Sequence, residues 1–370
     1  KGAIIRLSRG YAPKRTRISL GDLSILGTGP ELNSTVTLYA KGFCITSPHV
    51  GNVRNPGTFE YLKETTECLL NLMQADISII AHDLHPQFLS TRYAKELGEK
   101  TGASLVPVQH HEAHIAATFQ EECMGIAIDG VGYGSDGTIW GGEIFEGAAP
   151  DYSRVGHLMP VLMPGGDLAA TWPERMLYGI LPDEVTRGIL LSRGWAEQDV
   201  SIIEKQVMRR FNTSVSSSTG RVLDAAAALL GICRKKTYDG EPAMKLESLA
   251  HGTKPESWDI PLTRIGQAEV LDTPALLKKA RDLCMKHPDD LRVIRKTAAS
   301  FQYNLARGIA MIASNAAASS GLQTIALSGG VAYNEMIRET IQKTVQSNGF
   351  KLHINHDMPF GDGCISFGQC

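Results

Sequence analysis

The stretch GIAIDGVGYGSDGTIWGGEIF, residues 125–145, is an apolar run, a turn rich in glycine and aspartate, and a second run of strand-forming residues. Its first five residues read as a buried strand, 130–137 as the turn, and 138–145 as the strand that leaves it, so the whole is a hairpin. Upstream, short apolar strands at 36–40, 77–81 and 105–108 alternate with helical stretches at 58–73, 90–101 and 110–121, the mark of an α/β lobe. Downstream, a Pro/Gly-rich stretch at 150–173 leads into a mostly helical region. A strand at 324–327 then enters a second glycine turn, Ser328, Gly329 and Gly330, and a helix at 334–346 follows. The last segment, 351–369, reads as a strand, an Asp/Gly turn and the start of a helix. The pattern divides into a basic linker at 1–20, a first α/β unit at 21–122, a second unit at 123–355, and a terminal turn and helix at 356–370. No internal repeat of fixed period is present.

At 370 residues the chain is too long for one small core and suggests two or three packed units. Apolar residues make up 43% and charged residues 21%, an ordinary globular composition. A net charge of -2 argues against a broad nucleic-acid footprint, which needs clustered Lys and Arg. Lys14, Arg15 and Arg17 form one short basic run, read as part of a solvated tail. Seven cysteines are scattered without a CxxC pair, so neither a disulfide framework nor a cysteine zinc site is suggested, and the reduced cytoplasm is the expected location. No signal peptide opens the sequence and no apolar run is long enough to cross a bilayer. The first residue is Lys1, which reads as a piece of a longer protein.

His110 and His114 stand four apart at the start of a helical stretch, so both imidazoles fall on one face, where they could share a metal ion. Spacing alone favours a satisfied core or surface pair over a metal site. This is not the HExxH of zinc proteases, because Ile115 occupies the last required position. His111 points to another face. Asp129, Gly130, Gly132, Gly134 and Asp136 lie in the hairpin turn, where backbone N–H groups can approach a phosphate and a carboxylate can hold a cation. The alternative is a plain Gly/Asp turn. Gly329 and Gly330, with Asn334, follow a strand and precede a helix, a place where backbone dipoles bind anions. Neither a P-loop nor a Rossmann fingerprint is present. Asp362 in a third polar turn could complete a metal shell if the chain folds back, or serve as a helix cap. Arg221, with Ser216 to Thr219 before it and Asp224 after it, reads either as a loop and N-cap or as a hydroxyl and guanidinium pocket.

Several stretches taken together resemble one family. They are SPHVGN at 47–52, HDLHPQFLSTRYA at 82–94, QHHEAHIAA at 109–117, DGVGYGSDGTIWGGE at 129–143, SSSTGRVLDAAAALLG at 216–231, TYDGEPAMKLE at 237–247, ALSGGVAYN at 326–334 and GDGCISFGQ at 361–369. In this order they resemble the C-terminal domain of the HypF family of hydrogenase-maturation carbamoyltransferases. SRGYAP at 8–13 is similar to the join between that family's YrdC-like domain and this domain. By that resemblance the acylphosphatase-like, zinc-finger and YrdC-like parts are missing here.

The resemblance implies a two-lobed α/β fold of the actin/sugar-kinase/Hsp70 (ASKHA) type clasping a nucleotide. It implies one divalent metal ion on His110, His114, Asp129 and Asp362; imidazole and carboxylate ligands suit iron, zinc or manganese, with iron or zinc expected and magnesium as a candidate further cation. Gly130, Gly132, Gly329, Gly330 and Asn334 would line the nucleotide site, with Asp224 near the ribose, while Asp136 and, as a carbamoyl contact, Arg221 are weaker assignments. The implied reaction makes carbamoyl-adenylate from carbamoyl phosphate and ATP in the YrdC-like domain. The carbamoyl group then passes here to the C-terminal cysteine of HypE, toward the cyanide ligand of NiFe hydrogenase. No protein nucleophile, nucleic acid or membrane partner is implied. Where the family's ELKNT-like turn carries a Lys, this chain has Asn33, which puts a phosphate contact from that turn in doubt. Threonylcarbamoyl-tRNA synthesis or small-molecule O-carbamoyl transfer on the same fold is a second reading, and a sugar kinase or a non-catalytic nucleotide-binding module a third.

Overall fold

The computed structural model describes residues 3–288 and 290–370, so the first two residues of the expected linker lie outside the described residues. Two sheets organise it. The first has six strands, β1 (Lys14–Arg17), β2 (Ile25–Gly27), β3 (Thr37–Ala40), β4 (Phe43–Thr46), β5 (Ile79–Asp83) and β6 (Ser104–Val108), in the order β1-β4-β3-β2-β5-β6. Helix α1 (Pro56–Met73) starts where the Asn55 side chain accepts from Gly57 N and Thr58 N, with proline at the first helical position. With α2 (Leu89–Thr101) it covers one face of this sheet, where Leu62, Leu69, Tyr93 and Ala94 pack on Leu26, Leu38 and Ile80.

Helix α3 (His110–Thr118) leaves β6 and leads to the second sheet. That sheet contains β7 (Cys123–Tyr133), β8 (Ile139–Ala148), β9 (Asp151–Leu158), β10 (Val161–Pro164), β11 (Thr213–Ser216), β12 (Leu262–Ile265), β13 (Ala268–Leu271), β14 (Thr324–Ser328) and β15 (Lys351–His353). Its main path runs β12-β13-β9-β8-β7-β14-β15, with β10 and β11 attached beside β8. Met124, Ile126 and Ile128 of β7 face a large core shared with the helices Thr219–Leu229 and Leu291–Ser320.

Both sheets repeat one topology. The order β4-β3-β2-β5-β6 in the first and β9-β8-β7-β14-β15 in the second each have two antiparallel joints followed by two parallel ones. The helix that closes each lobe crosses to the other lobe's sheet. From α3, Ile115 packs with Ala127, Phe145 and Ala326 of the second sheet. The terminal helix Ile365–Gln369 puts Phe367 against Ile25, Tyr39 and Ala81 of the first. The two crossing helices touch at Gly368, where a Cβ would stand 1.9 Å from Ala113 O. This is the two-lobed ASKHA architecture.

Four local expectations change. Residues 14–17, expected in a linker, form β1 paired antiparallel with β4, and Leu7 before them is fully buried. Charged edge strands of this kind resist pairing with other chains. The glycine turn expected at 130–137 begins later, because β7 continues to Tyr133 through a bulge between Ile128 and Gly132 and the reversal occupies 134–138. The Pro/Gly-rich stretch at 150–173 carries β9, β10 and the helix Asp167–Thr171. Helix α3 stops at Thr118 rather than 121, with Phe119 in extended backbone.

Candidate metal centre

Gln109 caps α3: its Oε1 accepts from His111 N at 2.6 Å and Glu112 N at 3.0 Å, while its Nε2 donates to Tyr133 O at 3.0 Å. The cap fixes where the first helical turn begins, so His110 and His114 project from one face toward the end of β7. Asp129 sits there, on the side of β7 opposite Ile128, and Asp362 arrives from the turn before the terminal helix. His110 Nε2 lies 3.4 Å from Asp129 Oδ2 and 3.7 Å from Asp362 Oδ1, and His114 Nε2 lies 3.8 and 3.9 Å from the same oxygens. One donor atom from each of the four residues falls within 4.8 Å of the others. Both Nε2 atoms are buried with no hydrogen-bond partner among the described residues. Buried imidazole nitrogens are rarely left orphaned, and a set of two nitrogens and two carboxylate oxygens is one that a divalent transition metal accepts.

The other side of each imidazole is held. His110 Nδ1–H donates to Asp83 Oδ2 at 2.9 Å, which leaves the Nε2 lone pair facing the site. His114 Nδ1 faces Ser328 Oγ at 3.3 Å and Cys364 Sγ at 3.4 Å, and Ser328 Oγ–H in turn donates to Phe360 O at 3.4 Å. Gly330 N donates to Asp129 Oδ1 at 3.1 Å, turning Oδ2 toward the histidines. Without an ion, protons take its place. Burial opposes a charge on His110, yet Asp129, Asp362 and Asp83 outweigh it and push its pKa well above the ordinary value. Burial likewise opposes charge on His114, but Cys364 and Asp129 raise it to about 9. Burial would raise Asp129, and the two histidines hold it well below the usual carboxylate range. Glu112, between the ligands in sequence, has its carboxyl pushed up to about 7 by burial alone.

The residues expected at the nucleotide site divide. Gly329, at φ 105°, is required by close approach: a Cβ there would stand 2.1 Å from Ile128 O. Together with Gly330 it brings the end of β14 against Asp129. Gly130 lies beside the N-terminus of the helix Thr219–Leu229, where Ser218 Oγ donates to Gly130 O at 2.6 Å. Gly132 packs under the ring of His111, whose Cε1 would be 2.3 Å from an added Cβ. Asn334 is spent internally, accepting from Ile337 N as the cap of the helix Glu335–Ser347 and donating to Gln302 Oε1 at 2.8 Å. Arg221 and Asp224 lie inside the helix Thr219–Leu229 and meet at 2.7 Å, off hydrogen-bonding angle, with burial raising the Asp224 carboxyl despite Arg221. Asp136 closes its own turn, accepting from Thr138 N, Thr138 Oγ1 and Trp140 Nε1. These bonds, with Arg154 3.9 Å away, hold its pKa down against partial burial.

Asp83, Ser328 and Cys364 are the residues that sequence reasoning left without a role. Asp83 stands within HDLHPQFLSTRYA, but only the fold brings β5 beside α3. An open recess of about 730 Å³ lies between Leu291–Ser320 and Glu335–Ser347 and includes none of the four candidate ligands. Among the described residues no helix is long and apolar enough to cross a membrane, and all seven cysteines are free.

Comparison with known proteins identifies the family. A family model described as the HypF Kae1-like domain matches residues 21–121, and one described as the second subdomain of a carbamoyltransferase Kae1-like domain matches 125–369. The chain is 37% identical to a probable carbamoyltransferase HypF of Methanocaldococcus jannaschii, over 99% of this chain and 48% of that protein. It is 32% identical to a carbamoyltransferase HypF homolog of Cupriavidus necator, over 93% of this chain and 90% of that one. A crystal structure of full-length HypF in the phosphate- and nucleotide-bound form superposes with a TM-score of 0.91 at 31% identity, over 99% of this chain and 48% of that chain. The chain thus spans about half the length of the archaeal relative and of the full-length structure.

Proposed function

We propose that this chain, which belongs to the HypF carbamoyltransferase family, transfers a carbamoyl group from carbamoyl-adenylate to a cysteine thiol at its interlobe metal site during NiFe hydrogenase maturation. The observation that carries the reading is the pair of buried, partnerless Nε2 atoms on His110 and His114 facing Asp129 and Asp362. An iron or zinc ion held by these four residues would supply Lewis-acid polarisation of the carbamoyl carbonyl or an anchor for the adenylate phosphate.

The chain's own residues do the rest by position. Asp83 and Ser328 fix the two imidazoles, and Gly330 N turns Asp129. The backbone N–H groups of Gly329 and Gly330 are taken by Phe360 O and Asp129 Oδ1, so these glycines serve the geometry of the ligands. In the reaction the acceptor thiolate attacks the carbamoyl carbon, a C–S bond forms, and the C–O bond to the phosphate breaks with its electron pair leaving on AMP. The thiol proton passes to solvent. AMP is a good leaving group, so orientation and charge stabilisation suffice and no protein nucleophile is needed.

The proposed donor is made from carbamoyl phosphate and ATP in a YrdC-like domain, and the proposed acceptor is the C-terminal cysteine of HypE. His110→Ala and His114→Ala, placed in the full-length enzyme, are expected to lose both bound metal and transfer to HypE. Retention of metal and of transfer by either variant would overturn the assignment. Carbamoylation of tRNA but not of HypE would move the activity to the second reading.

A further inference from the structure

The segment His82-Asp83-Leu84-His85-Pro86, singled out in the sequence, is only partly used by the metal centre. Asp83 ties two structures together. Its Oδ2 accepts from His110 Nδ1 at 2.9 Å, and its Oδ1 accepts from His85 N at 2.8 Å. The far end of the same loop is fixed by Glu31, a buried carboxylate whose Oε2 accepts from Leu89 N at 2.8 Å. Between these two anchors the His85 ring stacks on Phe88, with centroids 4.0 Å apart, and meets Tyr133 of β7 edge-on at 5.2 Å. The loop therefore spans from the first sheet to the end of the strand that carries Asp129.

The tautomer of His85 follows from its neighbours. Gln87 N donates to His85 Nδ1 at 3.2 Å, so in the neutral ring the proton is on Nε2. Among the described residues no acceptor meets that N–H, and the ring is half-buried. Burial lowers its pKa, with Arg54 also lowering it and Asp83 and Glu31 opposing, so the ring is a neutral donor at working pH. Arg54 stands beside the loop. Its Nε faces Glu31 Oε1 at 3.7 Å, too long for a hydrogen bond, and its side chain is 64% exposed. Its exposed guanidinium carries paired planar donors of the kind that match a carboxylate.

We propose that Arg54 and the His85 Nε2–H form a carboxylate-binding pair at the lobe I lip of the metal centre, receiving the carboxylate next to the acceptor's thiol. This rests on the carbamoyl-transfer reading, in which the acceptor is a terminal cysteine and so carries a free carboxylate close to its sulfur. Two contacts, His110 to Asp83 and Asp83 to the His85 backbone N, link the loop to the ligand and set it at the edge of the metal centre. Phe88 and Tyr133 then hold the donor ring in place and set specificity for a chain end over an internal cysteine.

The test uses the metal-loaded full-length enzyme and two short synthetic peptides ending in cysteine, one with a free carboxylate and one with a carboxamide. Binding by calorimetry is expected to favour the acid by about tenfold, the worth of a hydrogen bond to a charged group. Arg54→Gln, and His85→Phe, which keeps the stack on Phe88, are each expected to bring the acid's affinity down to that of the amide without changing metal content. Equal affinity for the two peptides, no binding of either, or a preference that survives both substitutions would overturn the pair. Carbamoylation of the same peptides, with carbamoyl phosphate and ATP supplied, separates the two ideas. Transfer without any acid preference sinks the carboxylate pair and leaves the transfer reading. An acid preference without transfer sinks the transfer reading and leaves the pair.

Discussion

Asp83 decides which nitrogen of His110 is free. Holding Nδ1–H at 2.9 Å, it keeps the Nε2 lone pair on the metal side, and such outer partners are worth about 10–100-fold in metal affinity. Asp83→Asn is therefore expected to weaken metal binding by about that factor in chelator competition, and an unchanged affinity would deny Asp83 this role. A second expectation concerns pH. His110 and His114 are protonated in the metal-free site, His114 with a pKa of about 9, and an ion must displace those protons. Metal affinity should rise with pH up to about 9, where His114 gives up its proton. The stability of the metal-free protein should move oppositely: a raised histidine pKa stabilises below 6.5, and that contribution is lost as pH rises through about 9. Chelator competition on both sides of this window would detect the slope, and a flat profile would contradict it. The His110/His114 spacing was legible because helical periodicity is local. Asp129 and Asp362 were chosen by family resemblance, since nothing in spacing brings residue 362 to residue 110. Asp136, a plausible cation ligand in the sequence, closes its own turn instead, and an aspartate two residues before a threonine suits either use.

At the scale of elements, the crossing of α3 with Ile365–Gln369 leaves no room for a side chain at Gly368. Gly368→Ala would put a Cβ 1.9 Å from Ala113 O, so the helices must separate, at an expected cost of about 1–3 kcal/mol in urea unfolding. Because Asp362 and His114 ride on these two elements, metal affinity should fall in the same variant. Full retention of both stability and affinity would show the crossing to be loosely packed. Periodicity revealed α1 to α3 and the strands β3, β5, β6, β7, β8, β14 and β15, and it failed where glycine serves packing rather than turning. Gly132 reads as punctuation in the sequence, yet it lies inside β7 to admit the His111 ring. The run at 14–17 failed for the opposite reason: an edge strand with charged residues has the composition of a solvated tail.

For the whole molecule, the candidate ligands come from the helix that ends lobe I, the first strand of lobe II, and the turn that begins the terminal helix. A bound ion would tie these three together while touching neither sheet's interior. Metal chelation is expected to speed hydrogen exchange in α3 and in 361–369, while the central strands β2 and β14 keep their protection. Uniform protection with and without metal would deny the ion any structural part. The two-lobed architecture was legible only through the family resemblance, because its duplication lies in strand order and direction, with no repeated residues to betray it. The exchanged closing helices also impose a schedule on synthesis. The face of the first sheet that Phe367 covers is made hundreds of residues before its cover emerges from the ribosome, so the nascent first lobe carries an open apolar side throughout that interval. A chaperone has that interval in which to find it, and the metal cannot be gripped by all four ligands until the interval ends.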